Sequence, residues 1–248
     1  MRKLVFIATV LLASQVAQAD FYTPIGSSGE QNFPGIADNL YGGSFTLQGN
    51  GRDYSNGAIT LTRMVDSLSS VPTYIGVNMN VVSGPAFEAT DQIWDDGATK
   101  IYAKARYASY AQNFGYNTDS DDNGIYETWN YLFSVNQGYD QTGQASPDLT
   151  GLDWTWGRQG TTVNSSYAVD NPDDVDHMLT YKVTGLPGQG SWTVWLLRWD
   201  DQTIKCGSGS DRDFNDSVIE IRAVPVPGAV LLGMLGLGVA GWKLRKYA

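Results

Sequence analysis

Oxygen donors in two acidic loops are the residues best suited to chemistry. The first loop reads Asp119-Ser120-Asp121-Asp122-Asn123-Gly124-Ile125-Tyr126-Glu127. Its opening has the Asp-x-Asp-x-Asn-Gly spacing of a calcium loop. Side-chain oxygens at positions 1, 3 and 5 converge on one hard cation, and glycine at position 6 permits the sharp turn. Asp119, Asp121, Asn123 and Glu127 are the candidate ligands. Position 12 is Asn130 rather than the bidentate glutamate of an EF-hand. The competing reading is an acidic hairpin turn closed by Asn123-Gly124. The second loop, Ser210-Asp211-Arg212-Asp213-Phe214-Asn215-Asp216, runs straight into the apolar Val218-Ile219-Glu220-Ile221. In an extended chain Asp211, Asp213 and Asn215 point one way and Phe214 the other. Asp216, with Asp200 and Asp201 at the end of the preceding apolar run, completes an oxygen shell for calcium. Here the alternative is a set of Asx-turns ordering the loop. A third acidic run, Asp170-Asn171-Pro172-Asp173-Asp174-Val175-Asp176, reads as a solvated loop.

Other chemistries find little support. His177 is the single histidine, and no Gly-x-Ser-x-Gly elbow accompanies it, so it reads as a strand-end residue rather than part of a triad. Cys206 is the single cysteine, which excludes a disulfide framework and a cysteine-rich zinc site. Paired carboxylates occur throughout so acidic a chain and discriminate nothing. The expectation is a protein that is not an enzyme.

The elements that must position these loops are strands. Of 248 residues, 22 are Asp and only 4 are Glu, with 28 Gly. Asp and Gly build turns, whereas helical surfaces use Glu. Apolar residues alternate along Thr99 to Tyr107, with Ile101, Ala103, Ala105 and Tyr107 on one face and Lys100, Lys104 and Arg106 on the other. Strands are also expected over Ser44 to Gln48, Ala58 to Val65, Thr73 to Val82, Tyr126 to Val135, Met178 to Thr184, Trp192 to Trp199 and Ser217 to Arg222. Between Asp20 and Ala223 no stretch holds helical periodicity. Eight or more short strands with turn signals predict an all-β fold, a β-sandwich of jelly-roll type. The aromatics of Ile93 to Gly97 and Tyr107 to Tyr116 read first as plugs for its core, and second as a stacking platform for sugars.

The two ends read as addresses. Met1-Arg2-Lys3, an apolar run from Leu4 to Ala13 and the small-x-small Ala17-Gln18-Ala19 make a secretory signal peptide over 1–19, cut by signal peptidase before Asp20. At the other end, Val224-Pro225-Val226-Pro227 precedes an uncharged Gly-rich apolar stretch to Trp242 and a basic Lys243-Leu244-Arg245-Lys246. From Val224 to Trp242 the segment is long enough to cross a bilayer as a transmembrane helix, with the basic end cytoplasmic. Residues 20–223 form the body between them. Removing both ends leaves all 26 acids against 11 Lys and Arg, a net charge of −15. Such a surface repels nucleic acid and attracts cations.

The three-part tail, residues 224–248, resembles the PEP-CTERM sorting signal of Gram-negative and related bacteria, with Pro225-Val226-Pro227 where Pro-Glu-Pro is usual. The resemblance implies recognition by an exosortase, a membrane protease-transpeptidase that cleaves near Val224, Pro225 and Pro227 after transient anchoring in the inner membrane. A second resemblance covers Trp192 to Arg222. Trp195-Leu196-Leu197-Arg198-Trp199-Asp200-Asp201, a Gly/Ser-rich loop and Asp211-x-Asp213-Phe214-Asn215-Asp216-x-Val218 are similar to an uncharacterised bacterial extracellular domain that often precedes such tails. It implies a surface β domain with cation binding. The combined expectation is an exported cell-surface or extracellular-matrix protein with a calcium-stabilised β domain. The alternative is a carbohydrate-binding, lectin-like adhesin whose partner is extracellular polysaccharide.

Overall fold

A computed structural model describes residues 31–64, 94–95, 99–108, 111–120, 126–139, 142–149, 152–159, 163–167, 170–171, 177–190, 192–200 and 214–223. The expected signal peptide, the expected sorting tail with Val224, Pro225 and Pro227, the expected strand from Thr73 to Val82, Cys206, and Asp121, Asn123, Asp201, Asp211 and Asp213 lie outside them. Along the chain run α1 (Phe33–Tyr41), β1 (Thr46–Leu47), β2 (Tyr54–Ser55), β3 (Thr60–Arg63), β4 (Trp94–Asp95), β5 (Thr99–Arg106), β6 (Gln112–Thr118) and β7 (Thr128–Val135). They are followed by β8 (Gly138–Tyr139), β9 (Gln144–Ala145), β10 (Asp153–Gln159), β11 (Val163–Ser165), β12 (Met178–Thr184), β13 (Thr193–Trp199) and β14 (Ser217–Ala223). Among the described residues no helix is long and apolar enough to cross a membrane.

The strands form two antiparallel sheets packed as a sandwich. The larger runs β1-β2-β3-β12-β13-β14-β5-β8, with β9 also on β5. The smaller runs β11-β10-β6-β7, with β4 on β10. Trp195, Leu197 and Trp199 of β13 and Ile219 and Ile221 of β14 share one core with Phe114, Trp154 and Trp156 of the smaller sheet. Ring pairs cross the gap, with Trp94 and Trp195 at 5.8 Å and Phe114 and Trp199 at 6.5 Å. Trp94, expected as a core plug, is fully buried.

A second core lies on the opposite face of the larger sheet, where Leu196 and Val218 meet Phe33, Ile36 and Ala37 of α1. Both faces of β13 are therefore covered, and from Val194 to Trp199 every residue is buried. This is why Val-Trp-Leu-Leu-Arg-Trp reads as a continuous run without alternation. Arg198 tolerates the burial because its guanidinium lies 3.9 Å from the Phe33 ring centroid and its Nε donates to the Phe214 carbonyl at 3.0 Å.

Helix α1 corrects the expectation of a body without helices. Asn32 caps it by accepting from the Gly35 N–H at 3.0 Å, proline occupies its first turn, and Gly42 ends it at φ 77°. Its apolar residues Phe33, Ile36, Ala37, Leu40 and Tyr41 fall at i, i+3, i+4, i+7 and i+8 and all pack on the core beneath, a two-turn helical stripe that this expectation overlooked.

A bulge corrects a second expectation. Ile219 pairs with Ala103 but Val218 pairs with Ala105, so Lys104 is an extra residue in β5. Ile101 and Ala103 join the core between the sheets, while Ala105 and Tyr107 join the core under α1. The four do not share a face.

The inter-sheet core depends on its tryptophans. Truncation of the buried Trp199 to Ala is expected to cost about 3–5 kcal/mol of stability, read as a lowered midpoint in urea unfolding followed by far-ultraviolet circular dichroism. A midpoint within error of the parent chain would show that the sheets do not depend on this ring.

Candidate functional site

The described part of the second acidic loop sits deep in the molecule. Trp199 pairs with Ser217, which brings Asp200 beside Asp216 at one end of the larger sheet. Asp200 and Asn215 are 2% exposed and Asp216 is 6% exposed. The Asp200 N–H donates to the carbonyl of His177, which is itself buried just before β12, and Asn215 Nδ2 donates to the Gln31 carbonyl at 3.2 Å. Phe214 adopts φ 51° and buries its ring against the α1 layer. That left-handed residue breaks the extended chain on which the expected one-sided alternation of ligands depended. Among the described residues no three Asp, Glu, His or Cys side chains are grouped so as to hold a metal ion.

Asp119 and Glu127, the described ends of the first loop, flank the connection from β6 to β7. The Ser120 hydroxyl donates to Glu127 Oε1 at 2.5 Å, and this bond is the leading cause that holds the exposed Glu127 carboxyl below its ordinary range. Asp170, which the sequence assigns to a separate solvated loop, comes to the same place. Its carboxylate accepts from the Tyr126 N–H, yet burial, helped by the charges of Glu127 and Asp119, pushes it from 3.8 up to about 6. Its Oδ2 is buried and has no hydrogen-bond partner among the described residues. Asp119, Glu127 and Asp170 thus feel one another's charge across two loops distant in sequence. The three carboxylates are close enough to affect one another's ionisation, but among the described residues they are not grouped closely enough to form a metal site.

The largest feature that the sequence did not reveal is the outer face of the smaller sheet. Gly115 of β6 and Gly157 of β10 are directly paired. The six-membered ring of Trp129 lies over both. A methyl group at Gly115 would stand 2.8 Å from Trp129 Cη2, and one at Gly157 would run into Cζ3 and stand 3.0 Å from Cε3. Only glycine permits this approach. The rest of the face is built from uncharged polar groups. Tyr131 Oη meets Ser134 Oγ at 3.2 Å, Ser134 Oγ donates to Asn113 Oδ1 at 2.7 Å, and Asn113 Nδ2 reaches Gln159 Oε1 at 3.5 Å. Beside the indole, Asn117 Nδ2 and Ser165 Oγ both donate to Thr155 Oγ1, at 3.2 and 2.9 Å. Trp129 is half-buried and Tyr131 is 56% exposed. In the segments Ile93 to Gly97 and Tyr107 to Tyr116, read second as a stacking platform, Trp94 and Phe114 are fully buried, so the exposed aromatic, amide and hydroxyl groups lie instead on this face. The signal in the sequence was an isolated glycine inside each of two strand-like segments, Asn-Phe-Gly-Tyr and Trp-Thr-Trp-Gly.

The raised Asp170 has a consequence for stability. Its folded value exceeds that of an unfolded aspartate, so its contribution is greatest below about pH 4 and is lost as pH rises through about 6. In chelator, Asp170→Asn is expected to remove that loss. Melting temperatures of variant and parent should diverge in the variant's favour from about pH 4 to 7 and then run parallel. Curves parallel throughout would show that Asp170 ionises without penalty.

No protein-family model and no curated protein matches the chain. Among solved structures it is similar to the C-terminal domain of the BC2L-C lectin from Burkholderia cenocepacia, at 11% identity and a TM-score of 0.35, over 55% of this chain and 97% of that one. It is similar also to the high-affinity mannose-binding lectin of Ralstonia solanacearum, at 10% identity and a TM-score of 0.34, over 53% of this chain and 91% of that one. Likenesses of this size carry no weight for ligand or chemistry.

Proposed function

We propose that the chain is an exported, non-enzymatic surface protein whose β-sandwich binds carbohydrate on the outer face of its smaller sheet. The observation that carries the reading is the Trp129 ring laid over the Gly115–Gly157 pair, flanked by Tyr131 and an array of amides and hydroxyls with no charged side chain among them. An indole flat on a sheet offers a broad apolar face to the C–H side of a pyranose. The solvent-facing Asn113, Gln159 and Ser134 match its hydroxyls as donors and acceptors, while the buried Asn117, Thr155 and Ser165 brace the sheet beneath the indole. Partners already hydrogen-bonded to one another need little ordering when a ligand arrives. On a glycan array the full chain is expected to give a saturable response that Trp129→Ala reduces at least about tenfold and Trp129→Phe reduces less. Equal responses from Trp129→Ala and the parent would remove this face from the function.

The same reading includes export through the 1–19 signal, sorting of the 224–248 tail by an exosortase, and calcium at the β6–β7 tip. The loop residues Asp119, Asp121, Asn123 and Glu127 would hold the ion, and its charge would offset the acidic field felt by Asp170. The winding is consistent with a jelly roll, because the chain passes between sheets at β3 to β4, β4 to β5, β5 to β6, β7 to β8, β9 to β10 and β11 to β12. Native mass spectrometry of the protein recovered from its cells is expected to show a start at Asp20, loss of the tail and bound calcium. A retained C-terminus would instead make the tail a plain anchor, and a metal-free mass in millimolar calcium would remove the ion from the proposal.

A further inference from the structure

On the outer face of the larger sheet, away from Trp129, lies a groove of about 160 Å³. Its floor is a row across three strands. Val194 of β13 pairs with Arg222 of β14, which pairs with Lys100 of β5. Its wall is Trp192 and the turn from Leu186 to Gln189. Two cations line it and no carboxylate does, in a chain whose net charge is −10.

Both cations are held in place. Glu220, fully buried beside Arg222, accepts from Arg222 Nε at 2.7 Å and from the Tyr41 hydroxyl at 3.0 Å. It also faces Lys104 Nζ at 3.4 Å. Pairing through Nε leaves the terminal amino groups of Arg222 for other ligands, and the side chain is 41% exposed. The Arg222 guanidinium lies 5.2 Å from the Tyr102 ring centroid, and Lys100 Nζ lies 5.4 Å from that of Trp192. A cation over an aromatic face keeps part of its stabilisation when water leaves. The wall is fixed as well. The Gln189 side chain accepts from the Leu186 N–H at 3.2 Å and donates to the carbonyls of Val183 and Trp192 at 2.9 and 3.1 Å. Groove and charge are therefore formed before any ligand arrives.

We propose that this groove binds a single carboxylate-bearing sugar ring, a uronate, with Arg222 reading the carboxylate and Lys100 assisting at the rim. The guanidinium fork matches a carboxylate through two parallel hydrogen bonds. The volume, below the roughly 300–1,000 Å³ of pockets for larger ligands, suits one ring. Leu186, Tyr102 and Trp192 give that ring apolar walls, which a bare oxyanion would leave uncovered. The proposal extends the carbohydrate reading to a second site and rests on it only for the class of ligand.

Calorimetric titration of the full chain with glucuronate, glucose and inorganic phosphate tests it. Glucuronate is expected to saturate one site, with glucose and phosphate each at least about tenfold weaker. Arg222→Lys keeps a charge beside Glu220, so the sheet still folds, but it loses the fork and should weaken glucuronate at least about tenfold. Lys100→Gln, which sits on the exposed side of β5, should weaken glucuronate by a smaller factor, with an unchanged melting temperature. Glucose or phosphate as tight as glucuronate would overturn the proposal, as would no saturation, or parental affinity in both variants. A glycan response lost in Trp129→Ala, with glucuronate silent in the titration, would overturn this groove and leave the face of the smaller sheet intact.

Discussion

Coverage of β13 and most of β14 on both faces is the constraint from which the other arrangements follow. A strand buried on two sides can offer no side chain to water, so each polar residue in it must find a partner within the protein. β13 and β14 meet that condition in two ways. Arg198 is held by an aromatic ring and a backbone carbonyl. Glu220 is held by a phenol, a lysine and an arginine. Around the carboxylate the cations outnumber the anion, and the surplus emerges at the surface as Arg222. The basic character of that one surface region is thus a by-product of keeping one acid buried.

The smaller sheet works under the opposite condition. Its inner face supplies Trp154, Trp156 and Phe114 to the core, while its outer face carries Trp129, the exposed Tyr131 and Val163, and a chain of amide and hydroxyl contacts. One sheet therefore serves mainly to exclude water and the other meets it. Asp119 and Glu127, at the ends of two strands of this second sheet, consequently remain near solvent, whereas Asp200 and Asp216, at the end of the covered sheet, are buried.

How far the sequence could be read depended on the range of the interaction concerned. β12, β13, β14 and β5 were legible because β-branched and aromatic residues between turn signals suffice to mark them. Helix α1 was not read, although Phe33, Ile36, Ala37, Leu40 and Tyr41 have helical spacing, because the stripe lasts only two turns and opens with Pro34-Gly35, a pair that reads as a turn. β6 and β10 were obscured by the glycines that matter most. Gly115 and Gly157 lie more than 40 residues apart, and only strand pairing sets them side by side under Trp129. The acidic loops were evident as composition, yet the meeting of Asp170 with Glu127 and Asp119 is a tertiary event, and no local spacing could announce it. Phe214 shows the reverse limit. Its neighbours fit an extended alternation, and a single left-handed residue cancels the inference.

The extra residue at Lys104 changes the parity of β5. On its N-terminal side odd-numbered positions of β5 face the other sheet, and beyond it they face the helix layer. β5 is thus two strands of opposite parity spliced into one. Because the neighbouring β8 and β9 each pair with only one of the two portions, each portion keeps its own register with its own partner. A strand divided in this way can drift in sequence on one side of the splice without putting the other side out of step. It also lets one continuous stretch of chain supply ordered positions to two hydrophobic cores that have no side chain in common.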